Sequence, residues 1–120
     1  QVINQTATDY VLLLNPDTRA TAEALERSLA IIEENPKTGL LGVRLCDEDG
    51  GLQTSCFHFP TARKNFVDSI GLHRFYSKEK IVGMFAGEYF PHDVSRKVDW
   101  VMGAFMLVRR GAIRKAGALP

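Results

Sequence analysis

The chain has 120 residues, 45% of them hydrophobic, a composition that supports one globular core and argues against a disordered chain. Its 15 basic and 14 acidic residues leave a net charge of +1, without the one-sided basic excess of a nucleic-acid binder, so no nucleic-acid partner is expected. No apolar run is long enough to cross a bilayer, no signal-peptide pattern opens the chain, and the first residue is not Met, so an internal piece of a longer protein is expected.

Gln1 to Thr8 is polar and short and reads as the tail of a helix. Tyr10-Val-Leu-Leu-Leu14 is an apolar run without alternation, the pattern of a strand covered on both faces in an α/β sheet. It ends abruptly at Asn15-Pro16-Asp17-Thr18. An amphipathic helix follows, with Thr21 as its cap and Ala22, Leu25, Leu29 and Ile32 on one stripe. Asn35-Pro36 ends it, because the residue before proline avoids the α region. Gly39 to Leu45 reads as a second strand, and strand–helix–strand predicts a right-handed crossover to a parallel partner.

Asp47-Glu-Asp-Gly-Gly51 reads as a solvated turn with glycines for positive φ, and Leu52 to Phe59 as a returning strand. Cys46 and Cys56 flank this turn. With no CxxC, they are expected to be small buried apolar residues in a reduced compartment. His58, His73 and His92 stand at no metal-ligand spacing and read as surface or satisfied core histidines. Residues 60–95 carry the weakest pattern, with a helical turn over Asn65 to Leu72. The aromatic residues Phe75, Tyr76, Phe85, Tyr89 and Phe90 mark an excursion of the kind that carries binding specificity. Val98 to Val108 resumes apolar patterning around Gly103, which suggests a bulge or close backbone approach. A short basic helix begins at Arg109-Arg110, whose charges read as surface groups or as contacts to phosphate or anionic lipid.

Ligands of open α/β sheets sit beyond the carboxyl ends of strands, where Asn15 and Asp17 fall. Pro16 stiffens that corner. Asp17 offers a hard oxygen suited to Mg²⁺ or Mn²⁺, and one carboxylate is enough when a bound diphosphate supplies further oxygens. The competing reading of the same residues is an Asx-turn that caps the helix.

The segments YVLLLNPDT, NPKTGLLGVRL, DGGLQTSCFHFPT and VDWVMGAFMLVRRGAI, in this order around the helix, resemble the inverting family 2 glycosyltransferases of the GT-A fold. The nearest likeness is to the bacterial rhamnosyltransferase-like branch that builds surface polysaccharides. The likeness runs from about Asp9 to the C-terminus and is weakest over residues 62–95. It implies an α/β, three-layer, nucleotide-diphospho-sugar transferase-like fold, partial here, with a mixed, mostly parallel sheet and flanking helices. Residues 1–120 would be the middle of one catalytic domain. The part that binds the nucleotide base would precede Gln1, and the catalytic base would lie beyond Pro120, so the isolated piece is expected to be inactive.

The resemblance further implies that Asn15-Pro16-Asp17 stands where the family carries its DxD motif. Asp17 matches the second acid, which binds the divalent ion, Mg²⁺ or Mn²⁺, bridging the donor diphosphate. Asn15 matches the first, and its amide departs from the acidic pattern. Trp100, Gly103 and Ala104 match the acceptor side. There Trp100 stacks on a sugar or fills the core beneath, Gly103-Ala104 admits substrate to the backbone, and Asp99 is a supporting or a solvated carboxylate. The implied partners are a nucleotide-sugar donor and a saccharide or lipid-linked acceptor, and the implied location is the cytoplasm, at the inner face of the membrane for a peripherally associated parent. Self-association of the piece through exposed sheet edges is expected. The alternatives are a non-catalytic nucleotide- or saccharide-binding module of the same fold, and a sugar-phosphate nucleotidyltransferase. The latter lacks its Gly-rich phosphate loop here.

Overall fold

The computed structural model describes residues 7–85 and 90–117. The expected helical tail, most of which falls in 1–6, lies outside the described residues, as do Tyr89 and 118–120. The described residues divide into two compact units, 7–43 with 102–117, and 44–85 with 90–101.

The first unit is mixed α/β. Strand β1 (Tyr10–Leu14) and helix α1 (Ala22–Glu34) form as their local signals require. Thr21 caps α1, its Oγ1 accepting the Ala24 N–H at 3.1 Å, and Asn35 closes it. The buried stripe, however, runs through Ala24, Leu25, Ser28, Ile31 and Ile32, while Ala22 and Leu29 are exposed. A serine fits in that stripe because its hydroxyl donates to the Ala24 carbonyl at 2.6 Å, leaving no bare polar group.

Short strand β2 (Leu40–Gly42) does not pair with β1. Strand β7 (Phe105–Arg109) lies between them, antiparallel to both, with Leu14 opposite Phe105, Tyr10 opposite Arg109 and Leu41 opposite Leu107. The expected parallel pair is therefore corrected: β1 and β2 run in the same direction, but a third strand fills the place between them. The reason is burial. Phe105, Leu107 and Val108 are the most enclosed residues of the sheet, so β7 takes the centre and β1, half-buried rather than covered, takes an edge. The expected mostly parallel sheet is corrected too, since every strand pairing among the described residues is antiparallel. Helix α4 (Arg110–Ala116) follows β7 directly. Gly39 is required where it stands, because a Cβ there would come within 2.9 Å of the Ala112 Cβ.

Arg109 holds this unit together. Its guanidinium donates to the carbonyls of Ile32 (2.5 Å) and Thr38 (3.2 Å) and to the Tyr10 hydroxyl (3.1 Å). The guanidinium also lies 5.2 Å from the centre of the Tyr10 ring. Helix α1 has no basic residue in its last turn. Its open carbonyls take their donors from Arg109 at Ile32 and from the Asn35 amide at Ile31 (2.8 Å). Arg109 is thus a half-buried tie within its unit, where the sequence read it as a surface charge or a phosphate or lipid contact.

In the second unit the strand expected over Gly39 to Leu45 ends early. Leu45 belongs to β3 (Leu45–Cys46), which forms a hairpin with β4 (Leu52–Gln53). Its turn is the expected one: Gly50 has φ +82°, and the Asp47 carboxylate accepts the Gly51 N–H at 2.6 Å. The strand expected over Leu52 to Phe59 breaks after Gln53 and resumes as β5 (Cys56–Phe57), which pairs antiparallel with β6 (Trp100–Val101). Between them lie α2 (Ala62–Ser69), a 3₁₀ turn (Leu72–Phe75) and α3 (Lys78–Phe85), so the weakly patterned region is largely helical up to Phe85, while residues 90–95 form no helix or strand. Its core is Cys56, Val82 and Phe90, with Val98 and Val101 against them. Cys46 is exposed, against expectation, Cys56 is buried, and no disulfide joins them. No helix among the described residues is long and apolar enough to cross a membrane.

Candidate functional site

The Asn15–Thr18 corner is a hydrogen-bonded turn. The Thr18 N–H donates to the Asn15 carbonyl at 2.9 Å, and Pro16 occupies the position where a fixed φ suits such a turn. The corner is anchored to the sheet, because the Asn15 N–H donates to the Ala104 carbonyl at 2.9 Å, extending the β1–β7 ladder by one residue. Asn15 and Asp17 are exposed at the carboxyl end of β1, with the Thr18 hydroxyl 3.5 Å from Asp17 Oδ1. The helix-capping reading of these residues is overturned, since Thr21 performs that task.

Asn15, Asp17, Gly103 and Ala104 therefore come together at one end of one sheet. Gly103 lies in the turn entering β7, and a Cβ there would meet open space. The close approach that the sequence suggested is not made by the protein itself. Among the described residues no group of three His, Cys, Asp or Glu side chains is placed to hold a metal. A protein-only metal cage does not fit the corner.

Asp99 and Trp100 belong to the second unit, at the β5–β6 pairing. Trp100 is 43% exposed and stacks on Phe57, ring centres 4.2 Å apart and planes 17° apart, so it does not fill the core. Asp99 is exposed, as a solvated acid would be, but it is also hydrogen-bonded. Its Oδ2 accepts the Phe59 N–H at 2.8 Å and stands 3.1 Å from His58 Nδ1. Donation from the Phe59 amide, then from His58, holds the carboxyl below its ordinary value of 3.8. His58 was missed as a partner of Asp99, because only the β5–β6 register brings residues 41 apart into contact.

The lowered carboxyl has a measurable consequence. A carboxylate whose folded pKa lies below its unfolded one stabilises the fold above the unfolded value, and that contribution fades as pH falls through the folded value. Asp99→Asn is therefore expected to lower the thermal midpoint at neutral pH and to match the parent well below pH 3.8. Thermal unfolding across an acid pH series checks this.

His92 lies elsewhere in the second unit, at φ 55°. Its Nε2 accepts the Ser55 N–H at 3.3 Å and lies 3.3 Å from Cys56 Sγ, which puts the ring proton on Nδ1, donated to the Phe90 carbonyl at 2.6 Å. Both described histidine side chains are thus satisfied, as expected. That of His73 lies outside the description.

No family model matches the chain, and no solved structure matches it significantly. Among characterised proteins it is similar to the N-acetylglucosaminyl-diphospho-decaprenol L-rhamnosyltransferase of two Mycobacterium tuberculosis strains, CDC 1551 / Oshkosh and ATCC 25618 / H37Rv. The identity to each is 26% over 109 residues, covering 91% of this chain and 35% of the relative. The chain thus spans about a third of the length of the relatives it matches. Over nearly all of its own length, this mixed α/β chain is similar in sequence to a glycosyltransferase.

Proposed function

We propose that the chain is part of a GT-A-type inverting glycosyltransferase that moves a sugar from a nucleotide-sugar donor to a saccharide or lipid-linked acceptor. Bacterial cell-surface polysaccharide synthesis is the setting this reading suggests. The observation that most supports it is the Asn15–Asp17 corner, stiffened by proline and tied by backbone to Ala104 in a chain similar to a rhamnosyltransferase. In this reading Asp17 holds one face of a Mg²⁺ or Mn²⁺ ion shared with the donor diphosphate, and the Asn15 amide hydrogen-bonds the donor. When bound, the ion offsets the charge that develops on the leaving diphosphate. The open space at Gly103 leaves the Ala104 backbone accessible to substrate. In the second unit Trp100, braced by Phe57, offers an exposed aromatic surface for a sugar ring. Asp99 positions His58 and the Phe59 backbone beside it.

The test is thermal stabilisation by Mn²⁺ with uridine, guanosine or thymidine diphosphate in turn. At least one pair is expected to raise the midpoint by several degrees, with neither component sufficient alone. Asp17→Ala is expected to abolish the shift without changing the unliganded midpoint. Retention of the shift in that variant would remove Asp17 from the proposal.

A further inference from the structure

We infer that α2 and the 3₁₀ turn after it form a docking surface for an anionic lipid bilayer. The stretch Phe59 to Lys80, FPTARKNFVDSIGLHRFYSKEK, holds five Lys or Arg and two acids, in a chain whose whole excess is +1. It also holds several strongly exposed apolar side chains. Phe66 is 62% exposed, Ile70 53% and Phe75 84%. On α2 and its C-cap, Arg63, Phe66 and Ile70 fall on one face at helical spacing, beside the inward-facing Val67, while Asp68 projects from the opposite side. The 3₁₀ turn that carries Leu72 and Phe75 packs against this helix.

Arg63 shares the face of Phe66 and Ile70, and further cations lie in the same stretch. Arg63, Lys64 and Lys80 line an open cleft of ≈ 360 Å³ with Thr61 and Gly83. Lys64 Nζ donates to the Phe59 backbone carbonyl at 2.7 Å, and Lys80 Nζ sits 4.4 Å over the Tyr76 ring. Exposed Phe and Ile interleaved with Lys and Arg are what a bilayer interface takes: rings enter the acyl boundary while cations meet headgroup phosphates. The centre of a buried protein interface is depleted of lysine, and three of the five cations here are lysines. The surface is independent of the donor corner, so this inference and the proposed function stand or fall separately.

Flotation of the chain with vesicles tests it. Vesicles with about one-third phosphatidylglycerol are expected to bind it at least tenfold better than pure phosphatidylcholine, an advantage lost in roughly 0.5 M salt. Arg63→Glu with Lys80→Glu is expected to cut binding more than about tenfold. Phe66→Ser with Phe75→Ser is expected to weaken it severalfold with an unchanged midpoint, because both residues are exposed in the fold. Absent or composition-independent binding would overturn the inference. So would full binding by both variants, or a dimer lost in the Phe66/Phe75 variant without vesicle binding, which would assign the face to a second copy.

Discussion

Arg109→Ala is expected to lower stability by about 3 kcal/mol, roughly 10–15 °C in the midpoint. The loss has three parts: the Ile32 carbonyl at the end of α1 loses its donor, the Thr38 carbonyl before β2 loses another, and the Tyr10 ring loses its cation. Removing one partner of a partly buried bond leaves the other to bear its desolvation cost, which is why the effect exceeds the value of one exposed bond. Arg109→Lys is expected to recover less than half, because an ammonium cannot reproduce a fork that serves three acceptors in different directions. Urea unfolding of the three proteins checks this. A loss under about 1 kcal/mol for the alanine variant would mean that α1 ends without help from β7.

Phe105→Ala is expected to cost about 3–5 kcal/mol, the usual range for a buried phenylalanine. Phe105 is 3% exposed and faces Leu14 across the ladder, one residue from the Ala104 carbonyl that anchors the corner. A cavity there loosens both the sheet centre and its end. Stabilisation by Mn²⁺ and a nucleoside diphosphate is therefore expected to weaken along with the midpoint. Phe105→Leu, which keeps most of the volume, is expected to cost under about 2 kcal/mol and to retain the ligand response. Denaturant curves with and without ligand measure both quantities.

The elements that could be read from the sequence were those with local causes. Tyr10–Leu14, the Thr21 cap, the Asn35-Pro36 stop and the Gly50 turn each depend on residues within a few positions, and each forms where expected. The misread features were long-range. Nothing near Leu40 indicates that its ladder partner is Val108, and nothing near His58 indicates Asp99. The apolar stripe of α1 was misread because Leu29 competes with Ser28 for the inner face, and a serine that bonds its own helix is an acceptable core residue. In the candidate site, the exposed corner was legible in Asn-Pro-Asp itself. The stack of Trp100 on Phe57 was not, because it follows from the pairing of two strands two residues long.

The late arrival of β7 bears on biosynthesis. Its contacts with the first strand span up to 99 positions, so a nascent chain leaving the ribosome holds two sheet edges apart until the wedge between them has emerged. Through that interval the exposed edges of β1 and β2 are open to chaperones and to neighbouring nascent chains, and translation speed near the β7 codons should influence the yield of native protein.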